Sequence, residues 1–316
     1  MKKDSKIYVA GHLGLVGSGI LRALYARGFT NLILKTRAEL ELLDQKKTAE
    51  FFATEKPEYV FLAAAKVGGI MANKIHPAQF IYENLTVQAN VLENARKNGV
   101  KKLLFLGSSC IYPRLAPQPI KEEYFLSGPL EPTNQAYAVA KIAGIVTCQS
   151  YNEEYGTNFI SVMPTNMYGP NDNFDLENSH VLPGLIRKFH EAKMLNKKET
   201  VLWGTGVAQR EFLHVDDFAE AALFLMENYN SKEIINVGTN ESVSIKELAK
   251  LVKKIVGYRG AISWDLAGPD GMPKKLLAVE KIHRLGWKHT ISLENGIRKT
   301  YEWYKSHGTR NMEHGA

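Results

Sequence analysis

Three side chains capable of chemistry stand in a row at Ser108-Ser109-Cys110. They follow Leu103, Leu104, Phe105 and Leu106, an apolar run without alternation that suits a parallel strand covered on both faces. Open α/β sheets place their ligands at the carboxyl ends of such strands, so a hydroxyl pair followed by a thiol sets two chemistries on one edge. A second arrangement lies downstream in Tyr137-Ala138-Val139-Ala140-Lys141, whose spacing puts Tyr137 and Lys141 one turn apart on one helical face. A nearby ammonium favours the phenolate, which suits proton transfer at neutral pH, and Ser108 is placed to hold a substrate oxygen by a hydrogen bond. A tyrosine and a lysine at this spacing arise often by chance; the same pair downstream of a glycine motif and a strand-end serine is much rarer.

The elements that must position these groups begin at the N-terminus. Residues 6–10 read as a short strand running into Gly11-His12-Leu13-Gly14-Leu15-Val16-Gly17, after which Ile20, Leu21, Leu24 and Tyr25 recur at helical spacing. Glycines in a G-x-x-G-x-x-G pattern give a tight turn and close backbone approach at a helix N-terminus that favours anions. The bland alternative is a glycine-rich turn, but the strand-turn-helix setting favours a dinucleotide. The second strand, residues 31–35, ends at Lys35-Thr36-Arg37, where an NAD enzyme usually sets an acid against the ribose hydroxyl. Basic residues there suit the 2'-phosphate of NADP; a solvated strand end is the competing reading of Arg37. Leu43-Asp44 precedes a charged helix ending near Lys56-Pro57.

Further strands are expected at 59–63, 103–106 and 158–162, with long helices at 77–98 and from about 134 through Tyr151. The small residues of Ala64-Ala65-Lys66-Val67-Gly68-Gly69-Ile70 permit close approach to a ligand, and residues 113–132, with Pro117, Pro119 and Pro129, read as a surface excursion. A helix at 216–228 leads to a sixth strand at 234–237, and Ser244-Ile245-Lys246-Glu247 is a capping box opening a helix to Val256. The expected class is α/β: a Rossmann-type doubly wound parallel sheet with a smaller discontinuous α/β substrate domain. The larger domain is expected at 1–168 and 215–238, the smaller at 169–214 and 239–316, with a disordered tail from Thr309 to Ala316.

The 316 residues are 45% hydrophobic and 23% charged, as in ordinary soluble proteins. Two cysteines, Cys110 and Cys148, cannot staple a scaffold or build a thiolate zinc site, which points to a reducing cytoplasm and no metal. No apolar run long enough to span a membrane occurs, and the opening residues are charged rather than signal-like. The net charge of +7 is spread along the chain without a basic block, so it speaks for small polyphosphates or solubility and not for nucleic acid.

The segments AGHLGLVGS, LAAAKVGGI, LFLGSSCIYP, EPTNQAYAVAKIAGI, MPTNMYGPNDNF, NSHVLPGLIRKFHEA, REFLHVDD and PDGMPKKLL together resemble the extended short-chain dehydrogenase/reductase family over nearly the whole chain. The resemblance is narrower still to members that use NADPH on a GDP-linked 4-keto-6-deoxy sugar, inverting C3 and C5 and reducing C4. It implies an NADP cradle of Gly11, His12, Gly14, Leu15, Val16, Gly17, Arg37, Leu106, Tyr137, Lys141, Pro164, Asn166, Met167 and His180. Related enzymes often carry Arg where this chain has Leu13, which leaves more of the NADP preference to Arg37. It also implies substrate contacts from Lys188, Trp203, Arg210 and Asp270. Trp203 at a strand edge suits stacking on a base, Arg210 suits a diphosphate, and Asp270 suits a sugar or ribose hydroxyl, against core packing, an ion pair with Glu211 or Asp216, and a turn aspartate.

A ketone at C4 makes both neighbouring carbons acidic, and inversion needs a base on one face and an acid on the other. The resemblance implies Cys110 as base, a thiolate beside a cation, and His180 as acid. Tyr137 then protonates the C4 oxygen while Lys141 holds the ribose and lowers the tyrosine pKa. Cys148 matches no functional position and is expected to be a buried hydrophobe. A homodimer through the helices at 77–98 and 134–155 is expected on the same resemblance. Two other readings stay open: a redox-neutral nucleotide-sugar epimerase or dehydratase, although a dehydratase would want carboxylates where Ser109-Cys110 stand, and a non-catalytic NADP-binding protein.

Overall fold

Strands too apolar to alternate must be covered on both faces, and the chain supplies helices for each. The computed structural model describes residues 1–267 and 272–308. Its first half runs β1 (Ile7–Ala10), α1 (Leu15–Ala26), β2 (Leu32–Ile33), α2 (Gln45–Glu55), β3 (Tyr59–Leu62), α3 (Ile70–Ile75), α4 (Pro77–Lys97), β4 (Lys102–Leu106), α5 (Gln135–Tyr155), β5 (Phe159–Pro164) and β6 (Asn166–Tyr168). There follow α6 (Val181–Met194), β7 (Glu199–Trp203), β8 (Gln209–Arg210), β9 (Phe212–His214), α7 (Val215–Asn228), β10 (Ile235–Val237), β11 (Val243–Ser244), α8 (Ile245–Val256), β12 (Ala261–Asp265), β13 (Lys274–Lys275), α9 (Glu280–Leu285) and α10 (Leu293–His307).

Six strands form a parallel sheet in the order β10-β5-β4-β3-β1-β2. The chain steps outward from β1 to β2 and then returns to pair β3 on the other side of β1, so the winding reverses there. That reversal opens a crevice at the carboxyl ends of β1 and β3, where such sheets bind ligands. One helical layer packs α1 on α7, the other sets α4 between α2 and α5. The edge strand β2 is shorter than the 31–35 expected, because only Leu32 and Ile33 pair with β1.

Two clusters of buried apolar side chains are present among the described residues. The larger lies about the six-stranded sheet; the smaller gathers Phe174, Leu185, Ile186, Phe189, Leu248, Val252, Ile297 and Tyr301 between α6, α8 and α10. Leu277, Val279, Ile282 and Trp287 join the larger core, although 239–316 was expected wholly in the smaller domain. Residues 113–132 depart from expectation as well. Ile120 is fully buried and bridges Leu277, and the buried Asn236 donates to the carbonyls of Ile120 (3.0 Å) and Ala278 (3.1 Å) while accepting from the Tyr112 hydroxyl at 2.6 Å. The prolines break the periodicity, so the sequence conceals that this loop is pinned to the sheet. The tail from Thr309 lies outside the described residues.

Candidate active site

The glycine turn after β1 is built for close approach. Gly11 has φ +79°, and a Cβ on it would meet the backbone of Ala64 at 2.8 Å. A Cβ on Gly17 would stand 2.1 Å from the Gly11 carbonyl oxygen. Gly14 caps α1 without a side-chain hydrogen bond, leaving the first-turn N–H groups, beginning with Leu15 and Val16, without a side-chain cap and with no acid in that turn. His12 is buried beside them and its Nδ1 has no hydrogen-bond partner. These features fit a pyrophosphate. Leu13 is exposed at the mouth. At the end of β2, Glu39 accepts from the Thr36 N–H and hydroxyl, and Arg37 is 72% exposed with its Nε 2.6 Å from Glu41. That arrangement keeps the Glu39 oxygen in the turn and leaves a cation on the surface.

The next strands deliver the reactive groups. Beyond β4, Ser108 accepts from the Cys110 N–H (3.2 Å) and so starts a short helical turn over 109–111. On α5, Gly144 allows the helix to lie on β4, since a Cβ there would meet the Phe105 ring at 2.3 Å. Gln88 on α4 donates to the Ala140 carbonyl at 2.7 Å, fixing the turn that carries Tyr137 and Lys141. Lys141 is buried and donates to the Leu106 carbonyl at 2.8 Å, and its Nζ lies 5.8 Å from the Tyr137 ring centroid. Pro164 ends β5, and Asn166 donates to the Glu211 carbonyl at 2.8 Å with Met167 following on β6. His180 holds the N-cap position of α6 but makes no capping bond, which frees its imidazole from the commonest structural role of such a residue. Gly69 donates to the Asn178 carbonyl (3.0 Å), tying the segment after β3 to the loop before His180.

Charge around Cys110 comes from an unexpected quarter. Lys275 on β13 is 8% exposed and donates to Cys110 Sγ at 3.3 Å, while Asn134 Nδ2 donates to the same sulfur at 3.1 Å. Burial pushes the thiol up, but the Lys275 ammonium and hydrogen bonds from Ser108, Lys275 and Asn134 outweigh it and hold Cys110 below the ordinary thiol pKa. His180 is exposed, and partial desolvation and then the charge of Lys275 lower its pKa from the ordinary imidazole value. Tyr137 is raised by burial and by the neighbouring Cys110, with Ser108 opposing. Burial likewise brings Lys141 down to about 8.

The expectation that Lys141 lowers the tyrosine pKa is therefore corrected: its ammonium is turned to the Leu106 carbonyl and Tyr137 stays a neutral phenol. A neutral phenol is the state a proton donor requires.

In the smaller unit, Trp203 is 52% exposed rather than packed in a core, and Lys188 Nζ lies 4.8 Å from its ring centroid. Arg210 donates to the Gln209 carbonyl and pairs in register with Lys275, while Asp216 is engaged by Arg22 at 2.6 Å. Glu211, expected only as a partner for Arg210, is fully buried and accepts from the backbone N–H groups of Thr239, Asn240 and Leu277. Asp270 lies outside the described residues. Lys275 and Glu211 were both missed as site residues; the signal was present in PKKLL and REFLHVDD, quoted above without a role for either. Among the described residues no cluster could hold a metal and no helix is long and apolar enough to cross a membrane.

Comparison with known proteins agrees with this geometry. GDP-L-fucose synthase 1 of Arabidopsis thaliana is 58% identical over 302 residues, covering 96% of this chain and 94% of the relative. A GDP-6-OMe-4-keto-L-xylo-heptose reductase from Campylobacter jejuni superimposes with TM-score 0.94 at 44% identity, covering 97% of this chain and 99% of that one. A GDP-L-fucose synthetase from Naegleria fowleri bound to NADP superimposes with TM-score 0.91 at 30% identity, covering 98% and 96%. The model of the NAD dependent epimerase/dehydratase family matches residues 7–238, from β1 through the last strand of the parallel sheet, and the chain belongs to that family.

Proposed function

We propose that the chain converts GDP-4-keto-6-deoxy-D-mannose to GDP-L-fucose, inverting C3 and C5 and reducing C4 with NADPH. The observation that carries the reading is the placing of Cys110, with a cation on its sulfur, at the same strand end as Ser108 and the phenol of Tyr137. The relative from A. thaliana bears the corresponding name at 58% identity. Gly11, Gly14, Leu15, Val16 and Gly17 would hold the pyrophosphate, Arg37 the ribose phosphate, and Lys141 with Leu106, Pro164, Asn166, Met167 and His180 the nicotinamide half. The chemistry that the nucleotide supplies when bound is hydride for the C4 carbonyl.

The chain's own groups do the rest. Cys110 takes a proton from C3 or C5, and His180 returns one from the other face; an anionic substrate offsets the field of Lys275 and favours the imidazolium that an acid must be. Tyr137 gives its proton to the C4 oxygen while Ser108 hydrogen-bonds it. Trp203 with Lys188 would take the base, and Arg210 the diphosphate, with Asp270 on a hydroxyl. The two apolar clusters support a cofactor domain at 1–168 and 215–238 and a substrate domain at 169–214 and 239–316, less the stretch at 277–287 that joins the larger core. Exposed Tyr82, Val139, Val146 and Tyr155 on α4 and α5 support a homodimer through those helices, which the mass in solution tests. Two free thiols fit a reducing cytoplasm.

The test is NADPH oxidation with GDP-4-keto-6-deoxy-D-mannose, beside NADH and the UDP-linked analogue, with the sugar product identified. GDP-L-fucose formed with NADPH supports the reading; no oxidation with either coenzyme overturns it. A second reading, C4 reduction without epimerisation, is favoured by the likeness to the C. jejuni reductase. Solvent deuterium at C3 and C5 of the product separates the two.

A further inference from the structure

Lys275 is the one described cation in hydrogen-bond reach of Cys110, and it is far from it in sequence, 165 positions away. Its backbone is held from two directions. Toward the smaller unit, β13 pairs in parallel with β8 through Lys274 with Gln209 and Lys275 with Arg210. Toward the sheet, the Leu276 N–H donates to Gln118 Oε1 (2.9 Å), the Leu277 N–H donates to Glu211 Oε2 (2.9 Å), and Ile120 donates to the Leu276 carbonyl (2.7 Å). A strap anchored on both sides sets a lysine that is nine-tenths buried against a thiol.

The other charged and titratable groups near the sulfur have different partners. Lys141 is bound to the Leu106 carbonyl and its charge acts on Cys148. Tyr137 is neutral and is itself raised by Cys110. Glu131, three positions before Asn134 in the chain, accepts from Thr133 and faces Arg114 at 3.3 Å.

We propose that Lys275 is the positioning residue of the epimerase half-reaction: its ammonium holds Cys110 as the thiolate base. The inference rests on the reading of Cys110 as base. In the step itself the thiolate takes the proton from the sugar carbon and becomes a thiol, the electron pair of the C–H bond passes to the enolate, and the ammonium keeps all its protons. An opposite charge at this range moves a pKa by about 1–3 units, enough to change the thiolate fraction at neutral pH by about tenfold or more.

The experiment compares the full-length protein with Lys275→Met and Lys275→Arg. The rate at which iodoacetamide alkylates Cys110, located by peptide mass spectrometry, is followed against pH, and solvent deuterium entering GDP-4-keto-6-deoxy-D-mannose at C3 and C5 is measured in parallel. Lys275→Met should raise the alkylation midpoint by about 1–3 units, slow labelling at pH 7 about tenfold or more, and cut deuterium exchange in step. Lys275→Arg, which keeps the charge, should restore both in part. Lys275→Gln carries the same test should the methionine variant unfold at a lower temperature than the parent. An unchanged alkylation profile in a folded neutral variant overturns the pairing of Lys275 with Cys110. A shifted profile with deuterium exchange intact leaves that pairing standing but overturns the proposal through its premise, since Cys110 would then not be the base.

Discussion

Cys110 lies in the turn leaving β4, and Cys148 lies in the middle of α5, buried to the last atom. Burial pushes both thiols up. At Cys148 nothing reverses it: the nearby Ser161 and the charge of Lys141 oppose too weakly, and the pKa stands at about 12. At Cys110 the Lys275 ammonium, with Ser108 and Asn134, reverses the sign. The same residue type is thus inert in one region and ionisable in the other, and the difference is made by donors brought from three separate stretches of chain. Burial alone silences a thiol; burial with a cation arms it.

The strongest attempt to break this comparison is to remove each reactive group. Cys110→Ser should lower deuterium exchange at C3 and C5 by about 10²–10⁴-fold, and Tyr137→Phe should lower C4 reduction by a similar factor. Retention of either activity in the matching variant would remove that residue from its role. Next in size is labelling: at pH 7 iodoacetamide should modify Cys110 and leave Cys148 unmodified in the native protein, the two becoming alike only after unfolding. Equal labelling of both in the folded state would show that the environments do not differ as described. Cys148→Ala should leave turnover unchanged and cost about 1 kcal/mol of stability, the price of one buried atom, read from denaturant midpoints.

Asp172 sharpens the lesson with a carboxyl. It is buried, its Oδ2 has no partner, and its one hydrogen bond, from the Asn173 N–H at 2.8 Å, does not prevent burial from raising its pKa to about 8. A carboxyl raised in the folded state contributes stability that is fully present below its unfolded pKa and is lost as pH climbs through the folded value. The parent should therefore lose stability between about pH 4 and pH 8 on this account. Asp172→Asn, which cannot ionise, should unfold at least about 2 °C higher than the parent at pH 9 and differ little from it near pH 4. An identical difference at both pH values would show that Asp172 is not protonated in the fold.

Much of the architecture was legible before the structure. The apolar runs at β1, β3, β4 and β5, the glycine turn, the capping box at Ser244 and Glu247, and the facing of Tyr137 and Lys141 were all read from neighbours a few residues apart. The silence of Cys148 was readable too, from a helix position that matches no functional residue. Less visible was the loop at 113–132, where prolines obscure the spacing of residues that the fold buries. The burial of Glu211 was hidden as well, because it serves backbone groups around 30 and 66 positions onward.

Near-neighbour chemistry, that is periodicity, turns, caps and the candidate groups at the strand end, was thus determined by the sequence itself, since those properties depend on residues a turn or a strand apart. The protonation states were decided only by the tertiary structure. A pKa answers to whatever charge and solvent lie within a few ångströms, and the strap that carries Lys275 reaches Cys110 only after β13 has paired with β8 and Leu277 has found Glu211. It also turned Lys141 from Tyr137 to the Leu106 carbonyl, because a buried ammonium must take the nearest oxygen that the folded backbone offers.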